Sequence, residues 1–253
     1  MRRMSHRLVR LYVGLLLYGA SAGLLVRAGL GLDPWDVFHQ GVGEHTGLSI
    51  GLVVNITGAL VLLLWWPMRE RPGLGTLSNV LLVGLAIDAT MALVPEVKPV
   101  AAQVLLMVGA VALNGLATGL YISARFGPGP RDGLMTGLAR VTGRSIRLVR
   151  TGIEASVLLV GVLLGGTAGV GTVVYALAIG PLAQFFLRVL ATPEDTADEA
   201  AEGRTQDGAE DGADTRPGAG SGMDFEDRGR RGILRPWSRR MGRDHEPSSV
   251  DAG

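Results

Sequence analysis

Two short polar segments hold most of the side chains in this chain that could do chemistry. The first is Gly31-Leu32-Asp33-Pro34-Trp35-Asp36-Val37-Phe38-His39; the second is Gly127-Pro128-Gly129-Pro130-Arg131-Asp132-Gly133-Leu134. Each reads as a helix start, with Asp33 or Gly129 at the N-cap, proline at the first helical position, and an acid at N3 able to close back on the cap. The spacing predicts short helices over 34–44 and 130–140, ended by Thr46-Gly47 and Thr142-Gly143. Two readings stand side by side. As half-helices lining a cavity, their N-terminal N–H groups, with Asp36 and Asp132, would face a ligand or proton path. As interfacial helices, the same aspartates only cap, and Trp35 is a membrane-interface anchor. Asp36 and His39 share a helical face at i,i+3. His39, His45, Asp36 and Glu44 are metal-ligand types, but no firm ligand spacing joins them, so neither a metal site nor a cofactor is expected.

Two further acids, Asp88 and Glu154, stand inside apolar stretches. A carboxylate in hydrocarbon needs a partner or water. Asp88 suits either a solute path or a structural polar contact. Glu154 has Arg150 four residues before it, and a local ion pair accounts for it. The candidate residues for a substrate or proton path are therefore Asp33, Asp36, His39, Asp88, Asp132 and Glu154. Asn55, Asn79, Asn114 and Gln184 are the neutral polar residues of the apolar stretches, and interhelical hydrogen bonds explain such residues at least as often as ligands do. No Ser-His-Asp order, phosphate loop or dinucleotide-binding turn is present, so an enzyme is not expected.

The elements that must position these residues are membrane spans. The sequence is 47% hydrophobic, and its apolar residues are concentrated in residues 1–190. Six stretches approach the ~20 apolar residues a spanning helix needs: 11–30, 48–66, 75–94, 101–123, 148–166 and 171–190. The last two are split at Gly165-Gly166-Thr167-Ala168-Gly169, a cluster that favours a turn. Arg2, Arg3, Arg7 and Arg10 precede the first stretch like the start of a signal peptide, but no clean cleavage site follows, so a retained helix is expected.

Sliding the chain by 96 residues aligns its halves without a gap. Gly31, Pro34, Asp36 and Gly41 fall on Gly127, Pro130, Asp132 and Gly137. Thr46-Gly47 and Ser49-Ile50 fall on Thr142-Gly143 and Ser145-Ile146. Gly19 and Gly23 fall on Gly115 and Gly119, in places suited to close helix contact. Three spans per copy is an odd number, so the second copy must enter the membrane upside down. Charge agrees. Residues 1–190 carry 15 basic and 8 acidic side chains. Most of the arginines sit in the N-tail, the 67–72 loop, the 124–150 segment and the C-terminal side, which places both termini in the cytoplasm of a bacterial cell. The fold expected is an all-α integral membrane protein: a basic N-tail (1–10), two inverted three-helix repeats (11–94 and 101–190) and a cytoplasmic tail (191–253).

That tail carries 9 basic and 15 acidic side chains and almost no large apolar residue before 228, so disorder is expected. Within 228–243, Arg228, Arg230, Arg231, Arg235, Arg239, Arg240 and Arg243 surround Ile233, Leu234, Trp237 and Met241. Such a cluster suits an anionic leaflet; nucleic-acid binding is not expected.

The paired G-x-D-P-W-D and G-P-R-D segments, with the T-G-x-S-I pair, carry a resemblance. Residues 8–190 resemble the YczE/YyaS/YitT-type bacterial membrane proteins, and the YczE branch most closely. The resemblance implies a multi-pass membrane protein and brings no catalytic residues. Functionally, a secondary transporter or exporter of a small solute is expected by analogy with other inverted-repeat folds. The alternative is a scaffold or regulator acting through the tail.

Overall fold

In the computed structural model, which describes residues 2–190, each stretch expected to span forms a helix. The helices are α1 (Arg2–Ala28), α2 (Pro34–Thr46), α3 (Ile50–Met68), α4 (Leu74–Leu93), α5 (Val100–Ser123), α6 (Pro130–Thr142), α7 (Ile146–Leu163) and α8 (Val170–Leu190). The two short helices expected beside the polar segments are α2 and α6. Residues 2–10 form the first turns of α1, because no proline or glycine interrupts the chain before Gly14. The tail over 191–253, with its arginine cluster, lies outside the described residues.

Five helices, α1, α3, α4, α5 and α8, are long and apolar enough to cross a membrane. The sixth expected span, α7, has 18 residues and holds Arg147, Arg150 and Glu154 in its first half, which sets it apart from the other five. At 13 residues each, α2 and α6 are only about 20 Å long, too short for a hydrocarbon core of about 30 Å. The surface is apolar: Leu63, Trp66, Leu93, Leu105 and Leu177 are exposed, whereas Asp33, Asp36, His39, Thr76 and Asn114 are buried. That is the reverse of a water-soluble protein and fits lipid outside with polar contacts within.

Packing places the short helices. α1 and α5 lie against each other, α4 flanks α1 and α8 flanks α5. The glycines of the first and fifth helices make this possible. A Cβ on Gly23 would stand 2.9 Å from the Thr90 Cβ, and one on Gly119 2.9 Å from the Phe186 Cβ. α2 packs more on α7 than on its neighbour α3, and α6 more on α3 than on α7. The starts of α4 and α8 likewise dock across the halves: the Gly75 N–H donates to the Phe126 carbonyl at 2.9 Å, and the Gly171 N–H to the Leu30 carbonyl at 2.8 Å. All of these contacts recur at a spacing of 96 residues. Gly47 and Gly143 end α2 and α6 with φ of 72° and 66°, a left-handed cap that glycine adopts without Cβ strain.

Candidate functional site

The site grows from the N-terminus of α2. Asp33 is the N-cap, and its Oδ1 accepts from the backbone N–H of Trp35 at 2.8 Å and of Asp36 at 3.0 Å. The Asp36 Oδ1 meets the His39 Nδ1 at 3.1 Å, one turn along the same face. Gln40 fixes the other flank of the helix by accepting from the Thr167 N–H at 2.8 Å.

From the other half, α6 brings Arg131 onto these acids. Its guanidinium lies 3.6 Å from the Asp33 Oδ1 and 3.5 Å from the Asp36 Oδ1, and 5.0 Å above the Trp35 ring. Arg131 is the residue that aligns with Trp35 at the 96-residue shift, so the two copies meet here through equivalent positions. The next residue, Asp132, accepts at Oδ2 from the Tyr121 hydroxyl at 2.9 Å. Trp65 of α3 holds α6 from below, its indole N–H donating to the Pro130 carbonyl at 3.2 Å.

Burial sets the electrostatics. Loss of water raises the Asp33 carboxyl to about 6; the neighbouring Asp36 adds to the rise and Arg131 opposes it. Burial, reinforced by the Arg131 charge, holds His39 well below its usual value and therefore neutral. For Arg131 burial works against the charge, but Asp33 and Asp36 outweigh it and keep the guanidinium protonated.

A cavity of about 70 Å³ opens at this junction, walled by Trp35, His39, Thr57, Asn79, Tyr121 and Asp132 among others. A more open groove of about 290 Å³ lies between α6 and α7, over Met135, Thr136, Arg147 and Arg150. Asp132 borders both voids. Two buried nitrogens near the cavity have no hydrogen-bond partner: the Trp35 Nε1 and the His39 Nε2.

Four of the six expected site residues, Asp33, Asp36, His39 and Asp132, come together here. Asp88 does not. Its Oδ2 accepts from the Ser49 hydroxyl at 2.6 Å and its Oδ1 from the Gly51 N–H at 2.9 Å, so it completes the N-terminus of α3. Glu154 pairs with the Arg150 Nε at 2.9 Å. His45 turns to the Gly41 carbonyl at 3.0 Å, away from His39. Sequence reasoning counted Arg131 only as a topogenic charge and missed it as the hub. The signal was available: an arginine replaces Trp35 at the matching position, beside the one acid the two copies share.

Comparison with known proteins shows the family. Residues 5–188 match a family described as "Family of unknown function (DUF6198)". An uncharacterized protein of Haemophilus influenzae is 38% identical over 72% of this chain and 83% of its own length. The uncharacterized membrane protein YczE of Bacillus subtilis is 33% identical over 70% of this chain and 83% of its own length. The uncharacterized protein YyaS of the same organism is 24% identical, over 70% of this chain and 90% of its own length. No solved structure matches. The chain is thus a membrane protein of the YczE and YyaS type and belongs to the DUF6198 family of unknown function.

Proposed function

We propose that this protein is a secondary transporter or exporter of a small solute. In this reading it has six spans, arranged as two three-helix repeats of opposite orientation in a bacterial cell membrane, with both termini in the cytoplasm. The observation that carries the proposal is the cavity at the junction of the two halves, lined in part by polar side chains, with Asp132 bordering both it and the arginine-lined groove. A fold built only for packing has no need of three carboxylates, a guanidinium and a histidine at such a place, because buried charge is costly in a membrane. Short helices meeting at a repeat junction are a recurrent way to build a solute site there.

The recurrence of contacts at a spacing of 96 residues supports the repeat. With α7 as a span, each copy has three, and the second is inverted. The Arg150–Glu154 pair makes α7 less costly to insert, and Arg147 near its end can reach the interface. An asymmetry between the copies also supports the reading. Tyr18 and Asn79 face the cavity. Their counterparts at the 96-residue shift, Asn114 and Tyr175, are buried and joined: the Tyr175 hydroxyl donates to the Asn114 Oδ1 at 3.1 Å, and the Asn114 Nδ2 donates to the Ser21 hydroxyl at 2.8 Å. Equivalent pairs, one beside a void and one closed, are what alternating access requires of a single state.

Purified protein in liposomes, offered a panel of radiolabelled small solutes, tests this. The intact protein is expected to accelerate uptake of at least one, and Asp36→Asn to abolish that uptake while still inserting. Equal uptake by both proteins removes Asp36 from the path. If uptake is absent throughout and deletion of 191–253 removes the cellular phenotype, the protein is a scaffold or regulator acting through its tail.

A further inference from the structure

The unmet hydrogen-bonding groups around the cavity define what it can hold. The carboxylates and the guanidinium there already have partners within the protein. Asp33 has two backbone N–H groups and Arg131, Asp36 has His39 and Arg131, and Asp132 has Tyr121. Among the fully buried side-chain atoms of the described residues, one donor and one acceptor are left without a partner. The Trp35 indole can only donate. The His39 Nδ1 faces a carboxylate oxygen at 3.1 Å and so carries the proton, which leaves Nε2 as a bare lone pair. Both nitrogens are buried and unpartnered, on residues that line the same cavity. The two rings are close, with centroids 6.3 Å apart, so one small molecule can serve both.

This deepens the transport reading and rests on it. We propose that the cavity binds a small uncharged solute that both donates and accepts hydrogen bonds, such as a short polyol or amide. It would accept from the Trp35 Nε1–H and donate to the His39 Nε2. A cation can donate to His39 but offers the indole no acceptor. An anion can accept from the indole but meets the bare His39 lone pair and the Asp132 carboxylate, while Arg131 is already engaged by Asp33 and Asp36. Volume sets an upper size. At roughly 10–15 Å³ for each water-sized group, about 70 Å³ holds a molecule of about five heavy atoms. Thr57 and Asn79 on the facing walls add further polar contacts.

The chain contains no cysteine, so the test can use a single Thr57→Cys in the full-length protein in lipid nanodiscs. Its rate of modification by methyl methanethiosulfonate is measured with ethylene glycol, acetamide, ammonium chloride or sodium nitrate present. The two neutral solutes are expected to cause a saturable loss of rate that the salts do not. Trp35→Phe, which keeps a ring beneath Arg131 but removes the N–H, is expected to abolish that protection. The second readout is the Trp35 emission, taken as the difference between the parent and the Trp35→Phe protein, which should shift with the neutral solutes alone. Protection by the salts only overturns the uncharged class while leaving a transport site. Protection and an emission shift by none of the four overturns the proposal. Protection by neutral solutes without uptake into liposomes keeps the binding site and sinks the transport reading instead.

Discussion

Arg131 is the residue on which the site turns. It joins two aspartates of the other half and stacks on Trp35, a contact worth up to about 2 kcal/mol when desolvated. Replacing it with leucine strands two buried acids, and breaking a buried pair from one side costs about 3–5 kcal/mol. Arg131→Leu should therefore lower the unfolding temperature in detergent far more than Asp36→Asn, which leaves a hydrogen-bonding group in place. Asp88→Asn belongs to a different class. It weakens a helix N-terminus, at a cost of about 1 kcal/mol, and should leave solute uptake unchanged. Asp33 gives a pH signature. Its carboxyl, raised to about 6, binds its proton more tightly in the folded protein than in the unfolded chain. Its contribution to stability is therefore present below the unfolded value and lost as pH rises through about 6. The melting temperature of Asp33→Asn relative to the parent should accordingly rise between pH 5 and pH 7.5. A constant difference would show that Asp33 does not titrate in that window. The aspartates themselves were legible in the sequence because proline and the cap position mark them. Their partners were not, since a long side chain such as Arg131 finds its contact across the fold and not along it.

At the scale of elements, helix periods and turn residues told most of the story. The six long helices and both short ones stand within a few residues of where hydropathy, Pro34, Pro130, Gly47 and Gly143 put them. What local signals could not show is the exchange between halves, with α2 on α7 and α6 on α3. Hydropathy says that a helix is apolar, but the identity of its neighbour depends on shape, and the glycines carry that shape. Gly23 and Gly119 admit Thr90 and Phe186 at matching places. Overpacking a tight contact costs about 1–3 kcal/mol, so Gly23→Val and Gly119→Val should each lower the melting temperature, whereas valine at Gly109 or Gly152, where a Cβ meets nothing within 4 Å, should have little effect. Comparable losses at all four positions would contradict a packing role for the matched pair.

For the whole molecule, the 96-residue shift was the most informative feature of the sequence, and the contacts between α1 and α4 and between α5 and α8 repeat at that interval. It carries a functional consequence that composition could not: positions related by the shift should behave as mirror images across the membrane. Thr57 lines the cavity, and its counterpart is Ile153, partly buried beside Trp65 and Met135 on α7. Single cysteines at these two positions, tested in sealed vesicles with a membrane-impermeant maleimide applied to one face at a time, probe the central claim most directly. An alternating transporter of inverted repeats predicts that Thr57→Cys and Ile153→Cys react from opposite faces. It also predicts that a solute which protects one from modification exposes the other. Reaction of both cysteines from the same face, or of neither from either face, would contradict it.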